Sequence, residues 1–283
     1  MILPVRNRAK GERAAERIRE TVPDAALTIA DLDLADLASV AACADSLLED
    51  GRPIHLLVLN AGMIALGDPL RHTSADGCEL HFQTNHLGHF ALVARIMALL
   101  KAGNARITVQ SSLAAGFIGV LFDDLQLERD YSVFKAYGSS KSALSLFALE
   151  LGRRSGAGGW GITTNLSHPG IAITNIAPAA LLERRSAGAR IARKIMDGGV
   201  GGTPGEASLP ALFAVASPDA VPGVFYGPSG FLHLQGPPRP QRLYRRLVDQ
   251  DSAGRVWEIW QRLARVQFTD AASPATESGE PVG

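Results

Sequence analysis

Tyr137 and Lys141 stand four residues apart in the run Tyr137-Gly138-Ser139-Ser140-Lys141. On a helix that spacing brings both side chains out on one face. A free phenol titrates at about 10 and is a poor acid or base at neutral pH. A neighbouring ammonium favours the phenolate and brings the phenol toward the working range. The pair is therefore equipped to pass a proton to or from the oxygen of a bound molecule. The spacing is also common by chance, and alone it reads equally well as an exposed helical pair.

Other residues sharpen the choice. Ser111 and Ser112 follow the apolar run Arg106 to Gln110, and Asn60-Ala61-Gly62 follow the run His55 to Leu59. His168-Pro169-Gly170 follow Gly161 to Leu166, with Thr174 just beyond. Open parallel sheets place their sites at the carboxyl ends of such strands, where small residues let a ligand approach the backbone. Asn85 lies in Thr84-Asn85-His86-Leu87-Gly88-His89-Phe90, between two of those strands.

The elements that must position these groups alternate along the chain. Strands are expected at 2–5, 27–30, 55–59, 106–110, 161–166 and 224–226, the last closing the sheet. Helices are expected over 9–20, 36–49 (with Asp36 as N-cap), 76–102, 135–154, 179–196, 205–216 and about 252–266. The run HLLVL at 55–59 reads as a strand buried on both faces. This alternation predicts an α/β fold, a doubly wound parallel sheet with helices on both faces and right-handed crossovers. One domain is expected over 1–268, and 269–283 has the composition of a disordered tail. Gly198 to Gly202 follow no buried strand and read as a loop.

Taken in order, N-A-G at 60–62, N-H-x-G-H-F from Asn85, V-x-S-S from Val109, Y-x-x-S-K from Tyr137 and H-P-G-x-x-x-T from His168 resemble the short-chain dehydrogenase/reductase family. The resemblance is closest to its retinol-dehydrogenase-like and protochlorophyllide-reductase-like branch. R-N-x-x-K-G at 6–11, L-D-L-A-D-L at 32–37 and F-D-D-L at 122–125 are further marks of that branch. The likeness extends from the first residues to about Phe268 and implies a Rossmann-type fold.

It further implies an NADP(H)-dependent enzyme that interconverts a hydrophobic alcohol and its carbonyl. Tyr137 would exchange the proton, Lys141 would lower its pKa and hold the nicotinamide ribose, and Ser112 rather than Ser111 would bind the substrate oxygen. Asn85 would shape its helix and anchor a relay water. Arg6 would grip a 2′-phosphate, Asp33 the adenine amino group, and Leu34 would line the adenine pocket. Asn60, Ala61 and Gly62 would flank the adenosine ribose, and Pro169, Gly170 and Thr174 would hold the nicotinamide end. Arg6 also reads as a solvated loop residue and Asp33 as a turn or cap residue. The segment 178–200 falls where the family places its substrate lid, and its Ala, Leu and Ile suit a small apolar substrate. Homodimers and homotetramers through the helices at 76–102 and 135–154 are the family habit.

The family opens with a strand and a T-G-x-x-x-G-x-G turn, whereas this sequence starts at what resembles the second strand. The first strand and its helix are thus expected to be missing, leaving a gap between ILPV and HLLVL. A start placed too far downstream or a truncated gene, a rearranged sheet pairing those two runs, and a strand donated by a partner chain each account for it. The absent turn would have met the pyrophosphate with backbone N–H groups, so impaired NADP(H) binding is expected. A relative that performs no redox chemistry and serves as a binding or scaffold protein is the second reading.

Composition narrows the partners. Lys+Arg and Asp+Glu are equal at 28 each, which offers no footprint for nucleic acid or an anionic membrane. Two cysteines, Cys43 and Cys78, make no disulfide framework and point to a reducing, cytoplasmic setting. His86 and His89, three apart on a helix, would need a third ligand to hold a metal, and read as packing residues at helix ends and loops. Trp257, Trp260, Leu263 and Val266 recur at helical spacing and read as a helix covering the substrate side of the core.

Overall fold

The structure is a computed structural model that describes residues 1–170 and 202–268. Thr174, the segments at 178–200, most of the glycine run ending at Gly202 and the tail 269–283 lie outside the described residues. Local chemistry sets the first helices. After strand β1 (Ile2–Val5), Asn7 accepts from the Lys10 N–H and opens helix α1 (Arg8–Thr21). Strand β2 (Thr28–Asp31) leads to helix α2 (Leu37–Asp50), capped by Asp36 and stopped by Gly51 in the left-handed region.

Strand β3 (Leu56–Leu59) is followed by the short helix α3 (Leu80–Phe82), a π-helical turn (Gln83–Leu87), α4 (Gly88–Arg95) and α5 (Met97–Ala102). The helix expected over 76–102 thus starts later and is interrupted. Its first residues instead form a turn closed by a Thr73–Glu79 bridge. Strand β4 (Arg106–Gln110), α6 (Ala114–Phe117), the long α7 (Val133–Gly158) and β5 (Thr163–Ser167) come next. Then follow α8 (Pro204–Ala216), β6 (Phe225–Pro228), β7 (Pro238–Gln241) and α9 (Gln250–Ala264). A capping box between Thr203 and Glu206 starts α8.

Two sheets are formed among the described residues. β1 and β2 pair in parallel, and β3-β4-β5-β6-β7 form the second, parallel except for the antiparallel β6–β7 pair. The sheet therefore does not close at 224–226. Pro238 and Pro240 hide β7 in the sequence, and an edge position tolerates them because one row of N–H groups needs no partner there. ILPV does not pair with HLLVL, which removes the rearranged-sheet account.

Side-chain alternation along β5 shows the layers. Thr164 donates to the Ala148 carbonyl on α7, while Asn165 donates to the Ala214 carbonyl on α8. On the α7 face, Leu59, Ile107 and Val109 meet Phe90, Phe147, Trp257 and Trp260 from α4, α7 and α9 in the main core. α9 therefore completes this core against α7 and α4, and does not cover the substrate side. On the α8 face, Leu56 and Val58 remain 55% and 40% exposed. That overturns the expectation of a strand buried on both faces: α8 approaches β3 but leaves the outward side chains of Leu56 and Val58 largely open. Gly88 is required inside its helix because a Cβ there would lie 2.4 Å from the Leu34 carbonyl oxygen.

Candidate active site

The carboxyl ends of β3, β4 and β5 open on a cleft of about 640 Å³. One wall carries Asn60, Ala61, Gly62, Met63, Ile64 and Leu66. Ser112, Tyr137 and Lys141 form the floor, and Pro169 and Gly170 the opposite wall. The extended Ser132 caps α7, its hydroxyl accepting from Lys135 N–H, and this fixes the first turns that deliver Tyr137 and Lys141. Gly138 lets the segment after α6 close on that helix, since a Cβ would lie 2.6 Å from the Ile118 side chain.

Lys141 is 4% exposed, donates to the Gln110 carbonyl at 2.9 Å, and has its Nζ 6.0 Å from the centre of the Tyr137 ring. Burial lowers its pKa from 10.5 to about 8. Burial pushes the Tyr137 phenol up, and a hydrogen bond with Ser112 works in the opposite direction. The expected depression of the phenol by the amine is therefore not what the unliganded site gives. The two groups share a face, but desolvation is the larger effect on each. Ser111 turns its hydroxyl inward to Ser145 at 2.7 Å, which leaves Ser112 as the serine that meets the phenol.

Asn85 is fully buried in the π-helical turn, a kind of irregularity that clusters at functional sites. Its Oδ1 accepts from the Met63 N–H at 2.7 Å, and its Nδ2 donates to the Met63 carbonyl and to Ser140 Oγ. Ser140 in turn donates to the Tyr137 carbonyl. Asn85 thus ties the cleft wall to the second turn of α7 without lining the cleft. Gly62 sits between these groups: a Cβ there would lie 3.1 Å from Asn85 Oδ1 and 3.2 Å from Lys141 Nζ. Gly170 has φ +73° and passes so close to Leu234 that a Cβ would lie 2.2 Å from its carbonyl oxygen. His168 accepts from the Gly170 N–H at 3.2 Å, and burial lowers its pKa to about 4.

The remaining residues read from the sequence are not brought into this cleft. Arg6 is exposed just past β1. Asp33 spends Oδ1 on the Ala35 N–H, the turn role weighed for it. Leu34 is buried in the main core, so its side chain does not face the open cleft. Gln110, Met63, Ile64, Leu66 and the start of α8 (Pro204, Ala207, Ser208) line the cleft and were not singled out. The Thr203–Glu206 capping box was the readable signal for the α8 end. His86 and His89 are buried within the helical segment rather than at loops.

A cleft of this kind can hold a carbonyl or alcohol oxygen between a serine and a tyrosine hydroxyl. The buried cation would sit behind them for the ribose of a dinucleotide. Glycine 62 and the Pro169–Gly170 turn keep the walls free of side chains where the flat end of such a cofactor would lie.

The sequence model described as short chain dehydrogenase matches residues 1–184. Retinol dehydrogenase 14 of Mus musculus is 31% identical over 272 residues, covering 92% of this chain and 76% of that protein. Retinol dehydrogenase 12 of Mus musculus is 38% identical over 168 residues, which span 59% of this chain and 52% of that protein. A crystal structure of an uncharacterised protein from Mycobacterium paratuberculosis superposes with a TM-score of 0.71 at 30% identity, covering 95% of this chain and 85% of that one. This chain belongs to the short-chain dehydrogenase family, in its retinol-dehydrogenase-like branch, and has its Rossmann-type fold.

Proposed function

We propose that this chain is an NADP(H)-dependent oxidoreductase that interconverts a hydrophobic alcohol and its carbonyl through Ser112, Tyr137 and Lys141. The observation that carries the reading is the convergence of those three groups on one cleft at the strand tips. The apolar wall of Met63, Ile64 and Leu66 suits a hydrophobic substrate, and relatives named for retinol, an apolar alcohol, point the same way.

In the reductive direction Tyr137 Oη gives its proton to the substrate oxygen while Ser112 hydrogen-bonds the same oxygen. Bound NADPH would supply the hydride to the carbonyl carbon. In the oxidative direction Tyr137 takes the alcohol proton back. Lys141 would hold the ribose hydroxyls, and its positive charge favours the Tyr137 phenolate against the effect of burial. Asn85 keeps the turn in shape and anchors a water that relays protons toward Lys141.

Asn60, Ala61 and Gly62 are assigned to the adenosine ribose, and Pro169, Gly170 and Thr174 to the nicotinamide end. Arg6 is assigned to a 2′-phosphate, Asp33 to the adenine, and Leu34 to that pocket through its backbone. The 283 residues contain no T-G-x-x-x-G-x-G turn, so the pyrophosphate lacks its usual backbone donors, and this chain by itself holds NADP(H) weakly. The second reading is a family member that binds or scaffolds without redox chemistry.

Fluorescence titration of the 283-residue chain with NADPH and with NADH tests the nucleotide part. Weak binding with NADPH preferred is expected, and tight binding would overturn it. NADPH oxidation is then followed with a panel of apolar aldehydes and ketones, both for this chain and for one extended by any in-frame codons upstream of Met1. Turnover in the extended chain supports the enzyme; silence in both forms favours the second reading.

A further inference from the structure

Beyond β3 the chain runs along the cleft without regular structure. No backbone–backbone hydrogen bond holds residues 61–64 among the described residues. What holds this wall is a row of buried side chains on the helical segment opposite. His89 Nε2 lies 2.8 Å from the Ala61 carbonyl, Asn85 bonds both backbone groups of Met63, and His81 Nε2 accepts from the Ala65 N–H at 3.1 Å. The helical partners are spaced by four and the extended ones by two, in opposite directions.

Those spacings match in length. Four helical residues rise about 6 Å, and two extended residues span about 6.6 Å. The three contacts can therefore stay in register over two steps. The two histidines need opposite tautomers. Ala65 N–H can only donate, so His81 Nε2 carries the lone pair and Nδ1 carries the proton, given to Glu79 Oε1 at 2.8 Å. A carbonyl can only accept, so His89 carries its proton on Nε2. Burial keeps His89 neutral, with a pKa of about 4.

Glu79 is itself locked. It is 1% exposed, its second oxygen accepts from the Phe82 N–H, and its own N–H donates to Gln126 Oε1. The Glu79–His81 contact is thus a charge-assisted hydrogen bond to a neutral imidazole. His86, between them in sequence, turns the other way and packs among Phe82, Phe90 and Trp260.

We propose that His81, backed by Glu79, and His89 are positioning residues that fix the 60–66 wall against Tyr137 and Lys141, extending on both sides the tie made by Asn85. The inference rests on the proposed function only for its kinetic consequence. His81→Leu removes the acceptor for Ala65, whereas His81→Gln places an amide oxygen near the Nε2 position. Backbone hydrogen exchange in the unliganded chain is the direct test. In His81→Leu the Ala65 and Met63 amides should exchange about tenfold faster or more, while the β4 and β5 amides keep their rates. His81→Gln should restore most of the protection.

Where turnover with an apolar aldehyde is measurable, KM should rise about tenfold in His81→Leu with kcat within about threefold, and His81→Gln should recover it. If His81→Leu does not fold, His81→Gln against His81→Asn makes the same comparison, because only the longer amide reaches the Nε2 position. Unchanged exchange at Ala65 in His81→Leu, or equal exchange in the Gln and Asn variants, overturns the proposal. The expected exchange pattern in a chain that shows no turnover, even when extended upstream of Met1, supports the wall assignment and counts only against the oxidoreductase reading.

Discussion

Strands β3 and β5 invert the usual relation between hydropathy and burial. β3 is Leu56-Leu57-Val58-Leu59, yet Leu56 and Val58 stand in solvent. β5 is Thr163-Thr164-Asn165-Leu166-Ser167, and its last four residues are buried. The polar strand has a strand on each side and a helix on each face, and each of its three buried polar side chains finds a partner: Thr164 on α7, Asn165 on α8 and on Val224 N–H, and Ser167 on Val109 and Gln110. Among the described residues the apolar strand pairs on one edge only, with β4. Burial here follows neighbours, and polar residues go inside where hydrogen bonds are complete.

The same contrast divides the candidate site. The proton-handling groups sit on the well-supported side, around β4, β5 and α7. Arg6, Asp33 and Leu34, assigned to the 2′-phosphate and the adenine, follow β1 and β2, which share no ladder with β3.

Three substitutions sharpen the comparison. Leu59→Ala, on the core side of β3, should cost about 2–5 kcal/mol by creating a cavity among α4 and α7 side chains, read as a lowered denaturant midpoint. Asn165→Ala, which strands the Ala214 carbonyl and the Val224 N–H, should cost roughly 1–3 kcal/mol in the same assay. A neutral result would mean β5 tolerates polarity without needing its partners. Leu56→Ala, three residues from Leu59 on the outward face, should change stability by less than about 0.5 kcal/mol. A cost near that of Leu59→Ala would show that this face is covered in solution.

Much of the framework was legible because it rests on local rules. Asp36 opens α2, and small residues mark the strand tips that line the cleft. Less was legible where the outcome depends on distant partners. The exposure of Leu56 and Val58 is set by what lies across from them, not by their own pattern. β7 is concealed by its prolines. The π-helical turn has no composition signal, and it sits where Asn85 must reach both Met63 and Ser140. His81 reads as an ordinary helix residue until Ala65 is placed opposite it. The spacing of Tyr137 and Lys141 put them on one face correctly, but spacing carries no information on desolvation, which moves both groups the other way from the simple pair.

The central claim is that Tyr137 hands the proton to a substrate oxygen in this cleft. The most direct measurement is the single-turnover rate of NADPH oxidation by an apolar aldehyde, in a form that binds the nucleotide, for the native chain and for Tyr137→Phe at equal occupancy. The account predicts a loss of roughly a hundred- to ten-thousandfold with nucleotide affinity nearly unchanged. A Tyr137→Phe chain that reduces the aldehyde at the native rate would contradict it.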